Sequence, residues 1–131
     1  MLQAIKKKDR EEALSPTLLE FVLRVQGDLR RALAPIGVTP LQAGVLGYLG
    51  QHPDARLTDA AKAVGVEPAT LVVVVQDLVR KGWATNRRSL EDRRTVCLKL
   101  SRKGEALVRR IAPLIRNLEV QLRVRRRSDL E

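Results

Sequence analysis

Residues 57–100 read LTDAAKAVGVEPATLVVVVQDLVRKGWATNRRSLEDRRTVCLKL, and this stretch decides the fold of the 131-residue chain. Thr58 is predicted to cap a short helix over 59–64, which Gly65 closes. A second helix is predicted over about 68–81, because a proline suits its start and Lys-Gly suits its end. Two helices joined by a tight glycine-containing turn are typical of a helix-turn-helix, although helical hairpins in non-binding proteins look similar.

The second helix contains a run of valines that could by itself form a buried strand. Helix is favoured because the large apolar residues recur at the i, i+3, i+4, i+7 spacing of one helical face. These residues are Leu71, Val74, Val75 and Leu78. The opposite face, which a recognition helix would offer to a groove, contains Ala69, Thr70, Val73, Asp77 and Arg80.

Two strands are predicted after this helix, over 83–87 and 95–100, and the second alternates apolar with polar residues as a half-buried strand does. The hairpin tip between them carries several cations, namely Arg88, Arg93 and Arg94. A basic two-stranded ribbon beside a recognition helix is typical of a wing, here 87–95. The arginines of such a wing can enter the narrow minor groove of DNA. A merely solvated basic hairpin is the alternative.

Upstream of this stretch the pattern predicts two more helices. Residues 1–14 are charged and weakly patterned, either a frayed arm or a helix that docks only in an oligomer. Ser15-Pro16 predicts the start of a first firm helix that ends near Gly37, with an apolar face wider than one small core needs. Thr39-Pro40-Leu41-Gln42 is a capping box, so a second helix is predicted over 40–49.

Downstream, Ser101 can cap a helix over 102–127 that would be roughly 39 Å long at 1.5 Å per residue. Pro113 is expected to kink it. A helix of this length outreaches a small winged domain, so its apolar stripe is predicted to pack on a second chain together with the first helix. The predicted dimerisation residues are Leu18, Val22, Val25, Ile111, Leu114, Leu118 and Leu122. The arginines over 123–127 contact DNA flanks or keep this end solvated, and solvation is favoured.

The composition indicates a polyanionic partner. Lys and Arg number 25 against 15 Asp and Glu, a formal net charge of +10. The excess rises from +2 in residues 1–50 to +3 in 51–100 and +5 in 101–131. Nucleic acid is the first candidate, and a soluble protein with a basic surface is the plainer interpretation. The length predicts a single small domain, and its core is expected to be aliphatic because only three residues are aromatic.

Other classes of protein find little support in the sequence. The single cysteine, Cys97, excludes an intrachain disulfide and a multi-cysteine metal site, and its expected role is small apolar filler. Without a Gly-rich phosphate loop, a His paired with Ser or Cys, or a carboxylate cluster, we expect no enzyme, no cofactor and no metal. No apolar run approaches the roughly 18 residues of a membrane span, and the start lacks a signal peptide, so a cytoplasmic protein without a membrane partner is expected.

The order of these elements resembles the MarR family of bacterial transcriptional regulators over roughly residues 15–125. Asp92-Arg93-Arg94 matches the family's Asp-x-Arg wing motif, and 100–104, Leu-Ser-Arg-Lys-Gly, is similar to its Leu-Thr-x-x-Gly. Residues 78–83 with Arg87 also resemble the end of the family's recognition helix and its first wing strand. Together these matches are specific, whereas each alone is weak.

The resemblance implies an obligate dimer whose termini entwine and whose two winged domains read a pseudo-palindromic operator in double-stranded DNA. It also implies that Thr70 contacts DNA near the helix start, that Arg94 enters the minor groove and that Asp92 holds the wing arginines by a charge-assisted hydrogen bond. Arg87, Arg88 and Arg93 would neutralise phosphates. The predicted DNA contacts are therefore Thr58, Ala69, Thr70, Val73, Arg80, Arg87, Arg88, Asp92, Arg93 and Arg94.

The chain departs from the family at Val72 and Val73, where polar side chains or arginine are usual. Valine cannot hydrogen-bond a base edge, so direct readout there would be limited to thymine methyl groups, and specificity would lean on the wing and on DNA shape. The family's anionic aromatic effectors and its peroxide-sensing cysteine near the amino terminus find no clear counterpart here. Any small-molecule effector is therefore left unassigned.

The expected fold is mainly α with a small β-hairpin wing, a winged helix-turn-helix flanked by N- and C-terminal dimerisation helices. Its expected parts are an arm and dimerisation helix over 1–37, a DNA-binding domain over 38–101 and a C-terminal dimerisation helix over 102–131. The expected function is a dimeric, sequence-specific transcriptional regulator, acting as a repressor. The alternatives are an architectural or low-specificity DNA-binding protein and a winged-helix protein-interaction module.

Overall fold

The computed structural model of the chain describes residues 16–130, with side chains over 17–123. The arm over 1–14, the cap at Ser15 and the side chains of the last arginines lie outside this part. The elements are α1 (Pro16–Leu33), a 3-10 turn (Ala34–Ile36), α2 (Pro40–Gln51), β1 (Ala55–Arg56), α3 (Leu57–Val64), α4 (Pro68–Arg80), β2 (Ala84–Arg88), β3 (Val96–Leu100) and α5 (Arg102–Leu130). The fold is mainly α with a small β-hairpin, as predicted.

The sheet has three antiparallel strands in the order β1-β3-β2, one more than the sequence pattern predicts. β1 has only two residues, too few to show alternation, and it pairs Ala55 with Leu98 and Arg56 with Cys97. On the other side of β3, β2 pairs Arg87 with Cys97 and Ala84 with Leu100. β1 therefore connects the hairpin, through its pairing with β3, to the start of α3.

The capping box predicted at Thr39 is present. The backbone N–H of Gln42 donates to Thr39 Oγ1 at 3.1 Å, and the backbone N–H of Thr39 donates to Gln42 Oε1 at 3.0 Å. α2 continues to Gln51, two residues beyond the predicted end, and the backbone N–H of His52 bonds the Tyr48 carbonyl at 3.0 Å. This buried helix forms the centre of the core.

The predicted cap at Thr58 is wrong. α3 starts one residue earlier, at Leu57, and its N-cap is Arg56, whose extended backbone belongs to β1 and whose side chain makes no capping bond. Because strand pairing fixes the backbone of Arg56, the helix begins directly after the strand and Thr58 lies exposed in its first turn. Gly65, in the left-handed conformation with φ 75°, ends the helix as predicted.

The core is aliphatic, as the composition predicts. Its fully buried large side chains come from the end of α1, from α2 and α4, and from β3. They are Leu33, Val45, Leu46, Leu71, Val75, Leu78 and Leu98. Trp83 and Tyr48 pack only partly buried at the margin of this core.

α5 packs against its own chain through residues that the sequence pattern assigns to the dimer interface, and their role in a dimer stays a prediction. Ile111 is 5% exposed and Leu118 is 8% exposed within the single chain. Leu114 also packs on this core, and Leu122 is half-buried. The apolar stripe of α5 does not show in the sequence which chain covers it. In the structure, α1, α2 and β3 of the same chain pack against α5. Pro113 lies inside α5 without ending it.

The start of α5 is held against the end of the helix-turn-helix by a close backbone approach. The N–H of Ser101 donates to the Trp83 carbonyl at 3.1 Å, and Ser101 Oγ accepts from the N–H of Gly104 at 3.0 Å, which confirms the predicted cap. A Cβ at Gly104 would collide with the Trp83 carbonyl oxygen and would lie 2.9 Å from the carbonyl carbon. Only glycine fits this position without displacing backbone.

Within residues 16–130 no single helix is long and apolar enough to cross a membrane. One pair of helices, Thr17–Ile36 with Pro40–Gln51, has the length and composition of a membrane span only when both are taken together, and the two are bent by 76°. The second member buries Val45, Leu46 and Leu49 in the core described above.

Gly104→Ala is predicted to lower the free energy of unfolding by about 2 kcal/mol, because the new methyl group overpacks against backbone. Urea unfolding followed by circular dichroism measures this change. Gly47→Ala is the control, since nothing lies within 4 Å of a Cβ at that helical position. It should be neutral or stabilising by up to about 1 kcal/mol through helix propensity. Equal stability of Gly104→Ala and the wild type would contradict the close approach.

Candidate nucleic-acid interface

α4 presents one side to the core and the other to solvent. Leu71, Val75 and Leu78 are buried and Val74 is half-buried, as the spacing predicts. The exposed side chains of the helix are Pro68, Ala69, Thr70, Val72, Val73, Gln76 and Arg80. Four of these, Ala69, Thr70, Val73 and Arg80, are predicted DNA contacts, and the structure brings them to one surface.

Gln76 is the residue of this surface that sequence reasoning missed. Ala69, Val72, Val73, Gln76 and Arg80 follow the i, i+3, i+4, i+7, i+11 spacing of a single helical face, so the same periodicity that located the buried side could have located it. Glutamine can hydrogen-bond an adenine edge in the major groove. The exposed face is therefore apolar in its amino-terminal half and polar toward its carboxyl end.

Asp77, predicted on the exposed face, instead connects α4 to α2. Its carboxylate accepts a hydrogen bond from Gln42 Nε2 at 2.8 Å, and Lys81 Nζ lies 3.1 Å from the same oxygen. Gln42 is the only buried polar side chain of the described residues and also closes the Thr39 capping box. The hydrogen bond between Gln42 and Asp77 links the start of α2 to α4, and it directs the Asp77 carboxylate toward α2, with 31% of that side chain exposed.

Asp92 orders the wing through hydrogen bonds to backbone and to a hydroxyl group. Its carboxylate accepts from the backbone N–H of Arg94 at 3.0 Å and from Thr95 Oγ1 at 3.3 Å, and it contacts no guanidinium among the described side chains. The N–H of Thr95 bonds the Asp92 carbonyl at 2.9 Å. Asp92 thus orients the wing arginines through the backbone, by a charge-assisted bond.

The wing cations differ in how free they are. Arg87 pairs with Asp54 at 3.2 Å, with both side chains about half exposed, and Arg88 Nη1 donates to the Arg93 carbonyl at 2.8 Å. Arg93 and Arg94 are exposed and form no ion pair with any described residue. These two guanidinium groups therefore remain available to a polyanion.

Thr58, the remaining predicted contact, lies beside the wing. It lines a cavity of about 160 Å³ together with Arg56, Leu57, Arg94, Thr95 and Val96. The start of α3 and the wing thus face the same space, with two cations at its edge. All ten predicted DNA contacts belong to α3, α4 or the wing.

Comparison with known proteins gives one family. Residues 36–95 match the family model described as MarR family. The chain is 26% identical over 82 residues to the HTH-type transcriptional repressor MdtR of Bacillus subtilis (strain 168), covering 63% of this chain and 53% of that protein. It therefore spans about half the length of that curated relative.

Two solved structures are similar over most of the chain. The transcriptional repressor CouR, bound to a 23-mer DNA duplex, superposes with a TM-score of 0.78 at 30% identity, covering 95% of this chain and 92% of that chain. The S. aureus MepR–DNA complex has a TM-score of 0.78 at 21% identity, covering 86% and 85% of the two chains. The second likeness concerns the fold alone.

Asp77→Ala is predicted to lower the free energy of unfolding by about 1–3 kcal/mol, because it leaves the buried amide of Gln42 without its acceptor. Chemical unfolding monitored by circular dichroism tests this. Asp77→Asn retains an acceptor oxygen, so its loss of stability should be smaller, since only the charge facing Lys81 and Arg80 disappears. If both variants unfold at the wild-type denaturant concentration, the contact between α2 and α4 does not contribute to stability.

Proposed function

The chain belongs to the MarR family, and from this premise we propose that it is a dimeric, sequence-specific DNA-binding transcriptional regulator that acts as a repressor. The observation that carries the proposal is the basic wing, whose Arg93 and Arg94 form no ion pair with any described residue, in a helix-turn-helix whose α4 turns an exposed face to solvent. Two relatives support it by their names, since MdtR is a transcriptional repressor and CouR is a transcriptional repressor bound to a DNA duplex.

In the proposed complex α4 lies in the major groove, which is wide enough to admit a helix. Ala69, Thr70, Val73 and Arg80 then meet base edges and the adjoining backbone. The wing, 87–95, follows the minor groove, where Arg94 meets the strongest negative potential. Arg87, Arg88 and Arg93 neutralise phosphates with Thr58 beside them, and Asp92 keeps the wing turn in shape.

The proposed dimer is supported by an apolar face on α1. Its exposed large side chains are Leu18 (62%), Leu19 (49%), Phe21 (53%), Val22 (44%) and Leu23 (64%). An apolar patch of this kind marks an interaction surface, and a second copy of the chain is the proposed occupant. Residues 38–101 would then bind DNA while 1–37 and 102–131 pair the two copies over a pseudo-palindromic operator.

The dimerisation residues divide into two groups under this proposal. Val22 and Leu18 on α1 are exposed and suit a direct contact with the second copy, and Val25 and Leu122 are half-buried. Ile111, Leu114 and Leu118 support the interface from inside their own chain, because they hold α5 in place.

A second candidate is low-specificity DNA binding, which the exposed valines of α4 and the net charge of +10 favour. We infer no catalytic role, since the outward surface is built of an apolar helix face and arginines. The two DNA-binding candidates differ in the ratio of specific to non-specific affinity.

The test of function is fluorescence anisotropy at about 150 mM salt, on a duplex that the full chain selects from a random-sequence pool and on its scrambled counterpart. A preference of about a thousandfold or more is expected for a sequence-specific regulator. Selection without enrichment, or equal affinity for both duplexes, would replace the proposal by the low-specificity candidate.

Arg94→Ala is predicted to weaken binding to the selected duplex about tenfold and to reduce the slope of log K against log salt by about 1, because one cation leaves the minor groove. The dimer should persist, since the wing lies apart from α1. Arg109→Ala removes the same charge from an exposed site on α5 and serves as the matched control. Equal losses for the two variants would remove the wing from the mechanism.

Phe21→Asp is predicted to shift the chain from dimer to monomer at micromolar concentration, because it places a charge in the apolar face of α1. Sedimentation velocity measures the mass. Leu90→Asp is the control, since Leu90 is an apolar side chain 95% exposed at the wing tip, and it should leave the dimer intact. An unchanged dimer in Phe21→Asp would place the interface elsewhere.

A further inference from the structure

We infer that Val72 and Val73 contribute to operator specificity by packing against the C5-methyl groups of thymine in the major groove. The inference rests on the proposed DNA-binding function and adds to it the chemistry that α4 reads. It assigns a sequence role to the two positions at which this chain carries apolar side chains on an outward recognition surface.

The exposure of both side chains is the first observation. Val72 is 40% exposed and Val73 is 65% exposed, and they are adjacent to exposed Ala69 on the same helical face. A valine in a helix is held in one main χ1 rotamer, so its methyl groups point in fixed directions before any ligand arrives. Docking against a flat partner surface therefore costs these side chains little conformational freedom.

The surrounding charge selects duplex DNA as the occupant of this surface. Exposed Arg80 follows on the same face of α4, and Arg93 and Arg94 on the wing have no ion-pair partner among the described residues. Arg80 pairs with Asp77 at 3.8 Å but keeps its side chain 76% exposed, so a cation follows the apolar strip on α4. An apolar strip next to an exposed cation complements a surface that combines phosphates with a local apolar group. A major groove that displays thymine methyl groups between its phosphate backbones is such a surface.

The base edges differ sharply in what they offer a valine. Thymine presents a methyl group, whereas guanine presents acceptors and cytosine presents an amino donor. Valine over a guanine or cytosine edge would displace water without replacing its hydrogen bonds, which is unfavourable. Val72 and Val73 therefore favour thymine by contact and disfavour guanine and cytosine by desolvation.

The test isolates the methyl group. Duplexes are first selected from a random-sequence pool with the full chain, and each thymine of the selected half-site is then replaced singly by deoxyuridine, which lacks only the C5-methyl. Anisotropy is measured at fixed salt for the wild type and for the Val72→Ala/Val73→Ala double variant. One buried group of this size corresponds to about fourfold in affinity.

We expect deoxyuridine at one or two thymines to weaken wild-type binding about fourfold each, and to have no effect on the double variant at the same positions. The single variants Val72→Ala and Val73→Ala should each remove the effect at one thymine. Val120→Ala repeats the substitution at an exposed valine of α5 and should keep the full effect. Because the readout is a ratio between two duplexes, a general loss of affinity in a variant does not alter it.

The outcomes separate this inference from the proposed function. A selected site whose deoxyuridine substitutions leave wild-type affinity unchanged, or weaken the double variant equally, overturns the inference while the regulator proposal stands. Selection without any enriched sequence overturns both, and it would leave the apolar strip to a protein partner.

Discussion

The burial of Leu71, Val75 and Leu78 in one aliphatic core fixes which side of α4 faces solvent, and the rest of the structure depends on this constraint. A helix that anchors three large side chains cannot rotate without exposing them to water. Its outward surface is therefore formed by the residues on the opposite side of the helix from these three side chains. The proposed base-reading surface is in this sense a consequence of packing rather than an independent feature.

Polar contacts refine the position that the core imposes. Gln42 joins the cap of α2 to Asp77 of α4, so one buried amide links the start of one helix to another helix. Asp92 performs the corresponding task in the wing by bonding the backbone of Arg94. Asp77 also pairs with Lys81 and Arg80, whereas Asp92 pairs with no described cation and leaves Arg93 and Arg94 exposed. This arrangement suits a surface whose proposed partner is a polyanion.

The apolar stripe of α5 does not show in the sequence whether it packs on its own chain or on a second copy. Its first half completes the core of its own chain through Leu107 and Ile111, and Gly104 allows it to lie directly against the Trp83 carbonyl. The exposed apolar side chains of the described chain concentrate instead on α1. The proposed dimer would thus use the exposed amino-terminal part of α1, a helix whose last residue, Leu33, is buried in the core.

The sequence by itself determined the order of the helices and of the hairpin, the capping box at Thr39, the aliphatic core and the grouping of cations on the wing, because periodicity, caps and charge are local properties. It also carried the family resemblance, through the spacing of Asp92-Arg93-Arg94 and the glycine at 104. Only the tertiary structure decided which contacts these residues make. The two-residue strand β1, the start of α3 at Leu57, the inward turn of Asp77 and the burial of Ile111 and Leu118 all depend on neighbours far along the chain. A local pattern shows that a helix has an apolar or polar face, but the element that covers this face is chosen by packing in three dimensions.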